Sequence, residues 1–187
     1  GFMQQVPAHV LVVVDEAYNE FVERDGFISA LELLNDFPNI IVSRTFSKAY
    51  GLAGLRVGYS ISNTQVADLL NRLREPFNVN SLALLAAEVV LDDAEYLAKS
   101  QANNAAGMAQ LEAGFAQLGL PFIPSASNCI CVDFGKPAGP IYEALLKEGV
   151  IVRPIGVYEM PTWLRVSIGL PHENQRLLDA LAKVLAA

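Results

Sequence analysis

Apolar residues run without a break from Val10 to Val14 and stop at Asp15, the pattern of a strand buried on both faces of a parallel sheet with the acid at its carboxyl end. A second run, residues 40–42, leads through Ser43 and Arg44 to Thr45. Between them Ile28, Leu31 and Leu34, with Ala30 and Leu33 beside them, predict a short crossover helix within residues 27–37, so the segment reads as a βαβ unit. Gly51 and Gly54 mark a turn before another strand at 57–61. Asn63 and Thr64 then cap a helix carrying Val66, Leu69, Leu70 and Leu73, which Pro76 ends. Residues 81–91 are apolar almost all round and predict a buried helix, whereas 93–118 form a long amphipathic stretch that Gly119 terminates.

Beyond Gly119 the pattern changes to short strands at 122–123, 130–134, 151–153 and 164–168, with helices at 140–147 and 173–185. The fold class is therefore α/β. With no Pro/Gly/Ser-rich linker, the domain change is placed near Asp92 to Tyr96, giving units 1–92 and 93–187. Phe2, Met3 and Val6 look like the last turn of a helix, and a parallel strand opening at Val10 normally has earlier strands as neighbours. The chain thus reads as the later part of a larger protein.

Composition narrows the function classes. The chain has 187 residues, 52% hydrophobic and 18% charged, which excludes disorder. A net charge of −7 with no basic run argues against nucleic-acid and anionic-membrane partners and for small molecules. No apolar stretch reaches membrane-span length and no leader pattern opens the chain, so the cytoplasm is the expected compartment. Cys129 and Cys131 lie in an apolar alternating stretch without nearby His or further Cys, and read as buried thiols with no metal site.

Two places carry candidate chemistry. Asp15 stands at a strand's carboxyl end, where open α/β sheets bind ligands, and Tyr18 follows in Asp15-Glu16-Ala17-Tyr18; helix capping is the alternative for the acid. Downstream, Lys48 lies just past a strand end between Thr45, Ser47 and Arg56, with Gly51 and Gly54 in the turn. Hydroxyls and a guanidinium bind phosphate through charge-assisted hydrogen bonds, and a desolvated lysine near cations becomes a nucleophile toward carbonyls.

Three strings, DEAYNEF at 15–21, TFSKAYGLAGLRVGY at 45–59 and GVIVRPIGVYEMPTWLRVSIG at 149–169, resemble the fold-type I pyridoxal-phosphate aminotransferases, most closely the histidinol-phosphate group among them. The resemblance runs in order from about Val10 onward. It implies a large cofactor-binding domain, of which 1–92 is the later part with a mostly parallel sheet, and a small C-terminal domain at 93–187. It implies pyridoxal 5'-phosphate as cofactor, with Lys48 as the lysine that carries it and then moves a proton between the substrate's α-carbon and the cofactor. Asp15 matches the acid at the pyridinium nitrogen, Tyr18 the phenol at O3′, and Thr45, Ser47 and Arg56 the phosphate-binding positions. Arg165 matches the arginine that takes the substrate carboxylate, and Arg153 one near a distal phosphate. Without the family, Arg165 reads as a solvent-facing strand residue and Arg153 as half of a surface ion pair.

The resemblance further implies transamination of L-histidinol phosphate with 2-oxoglutarate, so the partners are an amino donor and a 2-oxo acid, and a homodimeric whole enzyme. The family's stacking aromatic, its asparagine near O3′ and its backbone phosphate cradle come from segments upstream of Gly1, so the chain alone is expected to be inactive. At 127–131, Asn128 is kept while Cys129 replaces the usual aromatic. The alternatives are an aromatic or broad-specificity aminotransferase and a decarboxylase of a phosphorylated amino acid. In another class stands a non-catalytic binding or dimerisation module, against which the retention of both Lys48 and Arg165 speaks.

Overall fold

Three strands build the first sheet in the order β1 (Val12–Asp15), β2 (Ile40–Thr45), β3 (Gly58–Ser62). In this computed structural model, which describes residues 1–186, β1 runs parallel to β2 with Asp15 opposite Ser43. Strand β3 returns antiparallel, with Thr45 opposite Gly58, after a 46–57 connection that holds a short 3-10 turn at Ala53–Leu55 rather than a crossover helix. Central β2 is sealed, with Ile40 and Val42 fully buried. The double-sided burial expected for 10–14 does not hold: β1 has one neighbouring strand, and Val13 stays 63% exposed.

The crossover at 27–37 is also shorter than expected, a 3-10 turn at Ala30–Leu33. Ser29 Oγ caps the Leu31 N–H and the Glu16 carboxylate takes the Ala30 N–H, while Pro38 disfavours helix at the residue before it. Met3–Gln5 is likewise a single 3-10 turn. Helix α1 (Thr64–Leu73) starts as predicted, with Asn63 Oδ1 accepting from the Val66 N–H at 2.9 Å. Helix α2 (Ser81–Leu91) forms too, but it is not buried. Ala83 and Ala87 pack on Phe46 and Val57, while Leu82, Leu84, Leu85 and Val89 face away and are exposed. Small residues line the one face that meets a partner, and the large ones find none among the described residues.

Helix α3 (Ala94–Gln117) leads on to Gly119, whose left-handed backbone (φ +69°) ends it as expected. The described residues form two compact units, Gly1–Ala98 and Lys99–Ala187. In the second, β4 (Phe122–Ile123), β5 (Cys129–Asp133), β6 (Arg153–Pro154) and β7 (Trp163–Ser167) make an antiparallel sheet of order β4-β5-β7-β6, joined by α4 (Ala138–Lys147) and followed by α5 (Pro171–Ala186). Ile130, Val132, Leu164 and Val166 alternate inward to meet Leu111 and Phe115 of α3 and Leu181 of α5. Their neighbours Cys129, Cys131 and Arg165 therefore occupy the opposite face. The cysteines are free and half-buried rather than buried, and burial, then the neighbouring Cys129, pushes the Cys131 thiol up. No described helix is long and apolar enough to cross a membrane.

Candidate active site

The chemistry-bearing residues of the first unit gather where β1 and β2 end. Asp15 is the last residue of β1 and exposed; its Oδ1 accepts from the Ala17 N–H at 3.0 Å, which turns the chain toward Tyr18. On β2, Thr45 Oγ1 accepts from the Ser47 N–H at 3.1 Å and begins the turn that presents Lys48. Phe46 anchors that turn from below, 4% exposed, with its ring 5.3 Å from Tyr50 and 5.5 Å from Tyr59. Because Phe46 and Ala49 point inward, Ser47 and Lys48 are left facing out. Lys48 Nζ lies 5.2 Å from the centre of the Tyr18 ring, a cation–π contact that joins the two strand ends.

Arg56 closes the turn. It stands in the left-handed region at φ +54°, and its guanidinium donates to the Ala53 carbonyl at 2.9 Å and to Ser47 Oγ at 3.4 Å. Gly51, at φ +72°, stands in a backbone conformation that strains any other residue, and a Cβ there would displace the Tyr96 hydroxyl. Two hydroxyls, a guanidinium and an ammonium thus share one turn, a donor set suited to a phosphate beside a carbonyl-reactive amine.

Sequence reasoning missed what lies behind this cluster. Glu16 is 8% exposed and binds Arg44 through Nε (3.1 Å) and Nη2 (2.7 Å), Ser29 Oγ (2.9 Å) and the Ala30 N–H (2.6 Å). Burial pushes its carboxyl up, but the hydrogen bonds from Arg44, Ala30 and Ser29 and the Arg44 charge outweigh that and hold it below the usual value. Burial raises the nearby Glu20 carboxyl, against the pull of Arg44. The signal available was alternation: if Asp15 faces out, Glu16 faces in.

In the second unit the register sets Arg153 directly opposite Arg165, and Arg165 opposite Cys131, so both arginines share the sheet face away from the core. Like charges placed so repel, and neither arginine has a carboxylate partner among the described residues. The bare solvent-facing reading of Arg165 fits only in part, since it is half-buried. The Asn128 main-chain carbonyl accepts the Ile168 N–H at 2.9 Å. Two buried asparagines unmarked in the sequence hold the surrounding loops: Asn104 donates to the Ser127 carbonyl, and Asn174 accepts from the Gly169 N–H at 2.9 Å.

The family description "Aminotransferase class I and II" matches residues 3–181. Histidinol-phosphate aminotransferase 2 of Pseudomonas aeruginosa is 64% identical over 185 residues, covering 99% of this chain and 50% of that protein. The Pseudomonas fluorescens protein of the same name is 62% identical at the same coverage. Among solved structures, the histidinol-phosphate aminotransferase of Sinorhizobium meliloti in complex with pyridoxal-5'-phosphate superposes with a TM-score of 0.90 at 36% identity, over 99% of this chain and 51% of that one. The chain spans about half the length of the relatives it matches. With a family match across nearly all its residues and an α/β fold shared with solved relatives, the chain belongs to the aminotransferase class I and II family.

Proposed function

We propose that this chain supplies the lysine-bearing part of a pyridoxal 5'-phosphate-dependent aminotransferase that moves an amino group between L-histidinol phosphate and 2-oxoglutarate. The observation that carries the reading is the turn in which Lys48, beside the Tyr18 ring, shares space with Thr45, Ser47 and Arg56. That donor set fits the cofactor, whose phosphate needs hydroxyls and a cation and whose carbonyl needs an amine. When bound, the cofactor supplies an electron sink for the substrate's α-carbon. Lys48 would hold it through its amine and would serve as the base for the substrate's α-proton. Asp15 would pair with its ring nitrogen, Tyr18 would donate to its ring oxygen, and Thr45, Ser47 and Arg56 would hold its phosphate.

Arg153 and Arg165, which share one sheet face of the second unit, are the groups that would take the substrate's anionic end, with Asn128 assisting. A pair of unneutralised guanidiniums suits a phosphate dianion better than a single carboxylate. Histidinol phosphate has no α-carboxylate, so Arg165 meets its phosphate in one half-reaction and the carboxylate of glutamate in the other. In this reading residues 1–92 belong to the cofactor domain and 93–187 to the small domain of a cytoplasmic homodimer. The test is borohydride reduction of the whole enzyme with pyridoxal phosphate, then peptide mapping. A tag on Lys48 is expected; a tag on Lys99, Lys136 or Lys147 overturns the assignment.

A further inference from the structure

Glu16 and Arg44 are the immediate neighbours, along the chain, of Asp15 and Thr45. Each strand end therefore carries one residue toward the cluster described above and one toward a shared ion pair behind it. The pair is closed. Both guanidinium donors meet Glu16 Oε2, the same Nη2 reaches Ser29 Oγ at 3.1 Å, and Ser29 also takes the Leu31 N–H. One carboxylate thus ties together the end of β1, the end of β2 and the start of the 3-10 turn between them.

Stability gives a weak reason for such a pair. Desolvating two charges costs about as much as their attraction returns, and an apolar pair of similar volume commonly does as well or better. What an apolar pair does not reproduce is a fork with fixed direction. We propose that Glu16 and Arg44 are positioning residues: their pair sets the spacing between Asp15 and the Thr45-to-Lys48 turn, so that acid and lysine meet the same ligand. This rests on the cofactor reading given above.

The experiment uses the whole enzyme with E16Q, R44K and the double variant E16Q/R44M, which removes both charges. Three quantities are read: thermal midpoint, amide exchange in cofactor-free protein of peptides spanning Ala17 and Ser47, and the pH midpoint of absorbance after adding pyridoxal phosphate. The double variant is expected to melt near the wild type, to exchange both peptides about tenfold faster, and to show a displaced pH midpoint. R44K, which keeps charge but not the fork, should fail to restore either signal.

A double variant with wild-type exchange and wild-type pH midpoint overturns the proposal. One that does not fold also overturns it, since the pair then serves stability. If wild-type Lys48 takes up no cofactor, the cofactor reading fails, while the exchange measurement still judges whether the pair spaces the strand ends.

Discussion

The two units organise themselves by different means. In the second, residues of α3, α4 and α5 close over one face of a four-stranded sheet and form one continuous apolar cluster. The first has two small clusters around a three-stranded sheet, and it leaves Val13, Leu82, Leu84 and Val89 open. Yet the first unit holds Lys48, the proposed cofactor lysine. Its order near the site comes from directional contacts instead: the Asn63 and Asn80 caps, the turns closed by Asp15 and Thr45, and the Glu16–Arg44 pair. Apolar burial is non-directional, whereas hydrogen bonds fix angles, and a site needs its groups at fixed angles.

The largest effect expected from breaking this division is on activity alone. In the proposed whole enzyme, Lys48→Ala should lower transamination by about 10⁴-fold or more, with no change in the unfolding transition of Trp163, which lies in β7 of the second unit. A shifted Trp163 transition would mean that the units are not separately organised.

Next comes the packed core. Phe115→Ala, at a fully buried position, should cost about 3–5 kcal/mol in urea unfolding followed by Trp163. Leu84→Ala, at an exposed position of α2, should stay within about 0.5 kcal/mol. Equal losses would erase the contrast between the units.

A smaller effect separates the two arginines. Arg153→Ala should weaken the phosphorylated substrate by roughly 10–100-fold, the scale of one charged hydrogen-bond group, and spare an unphosphorylated aromatic amino acid. Arg165→Ala should weaken both. Half-reaction rates measured with each substrate check this: if Arg165→Ala impairs only the glutamate half, its dual role is wrong.

The gentlest perturbation is pH. Because the Glu16 carboxyl is held below its ordinary value, its stabilisation is complete above the unfolded value of about 4.3 and is lost as pH falls through the folded value. Glu20 is raised and acts in the opposite sense. Urea midpoints measured down the acid side should fall less steeply for Glu16→Gln than for the wild type, and identical slopes would remove the pair from the first unit's framework.

Much of this architecture was legible from periodicity. Strands β2, β5 and β7 and helices α1, α4 and α5 follow their apolar repeats, and the Lys48 turn stands out because hydroxyls, glycines and arginine crowd one strand end. The parallel pairing of β1 and β2 was legible from the crossover between them, but the direction of β3 was not, and it runs antiparallel to β2. Nor was exposure: the leucines of α2 and the valines of β1 say only that a partner is wanted. Glu16 and Arg44 lie 28 residues apart, and no local rule links them. Arg153 and Arg165 could be suspected singly, but only the register makes them a pair.

Arg56 sets the interests of backbone and side chain against each other. At φ +54° a glycine rests without strain, while an arginine costs about 1–2 kcal/mol. Part of that is returned because glycine makes the unfolded chain more flexible. A screen for thermal tolerance should therefore keep Arg56→Gly as neutral or slightly improved, and a screen for cofactor retention should reject it. Improving this protein by stability alone would erode its proposed phosphate site at a residue whose conformation the backbone does not prefer.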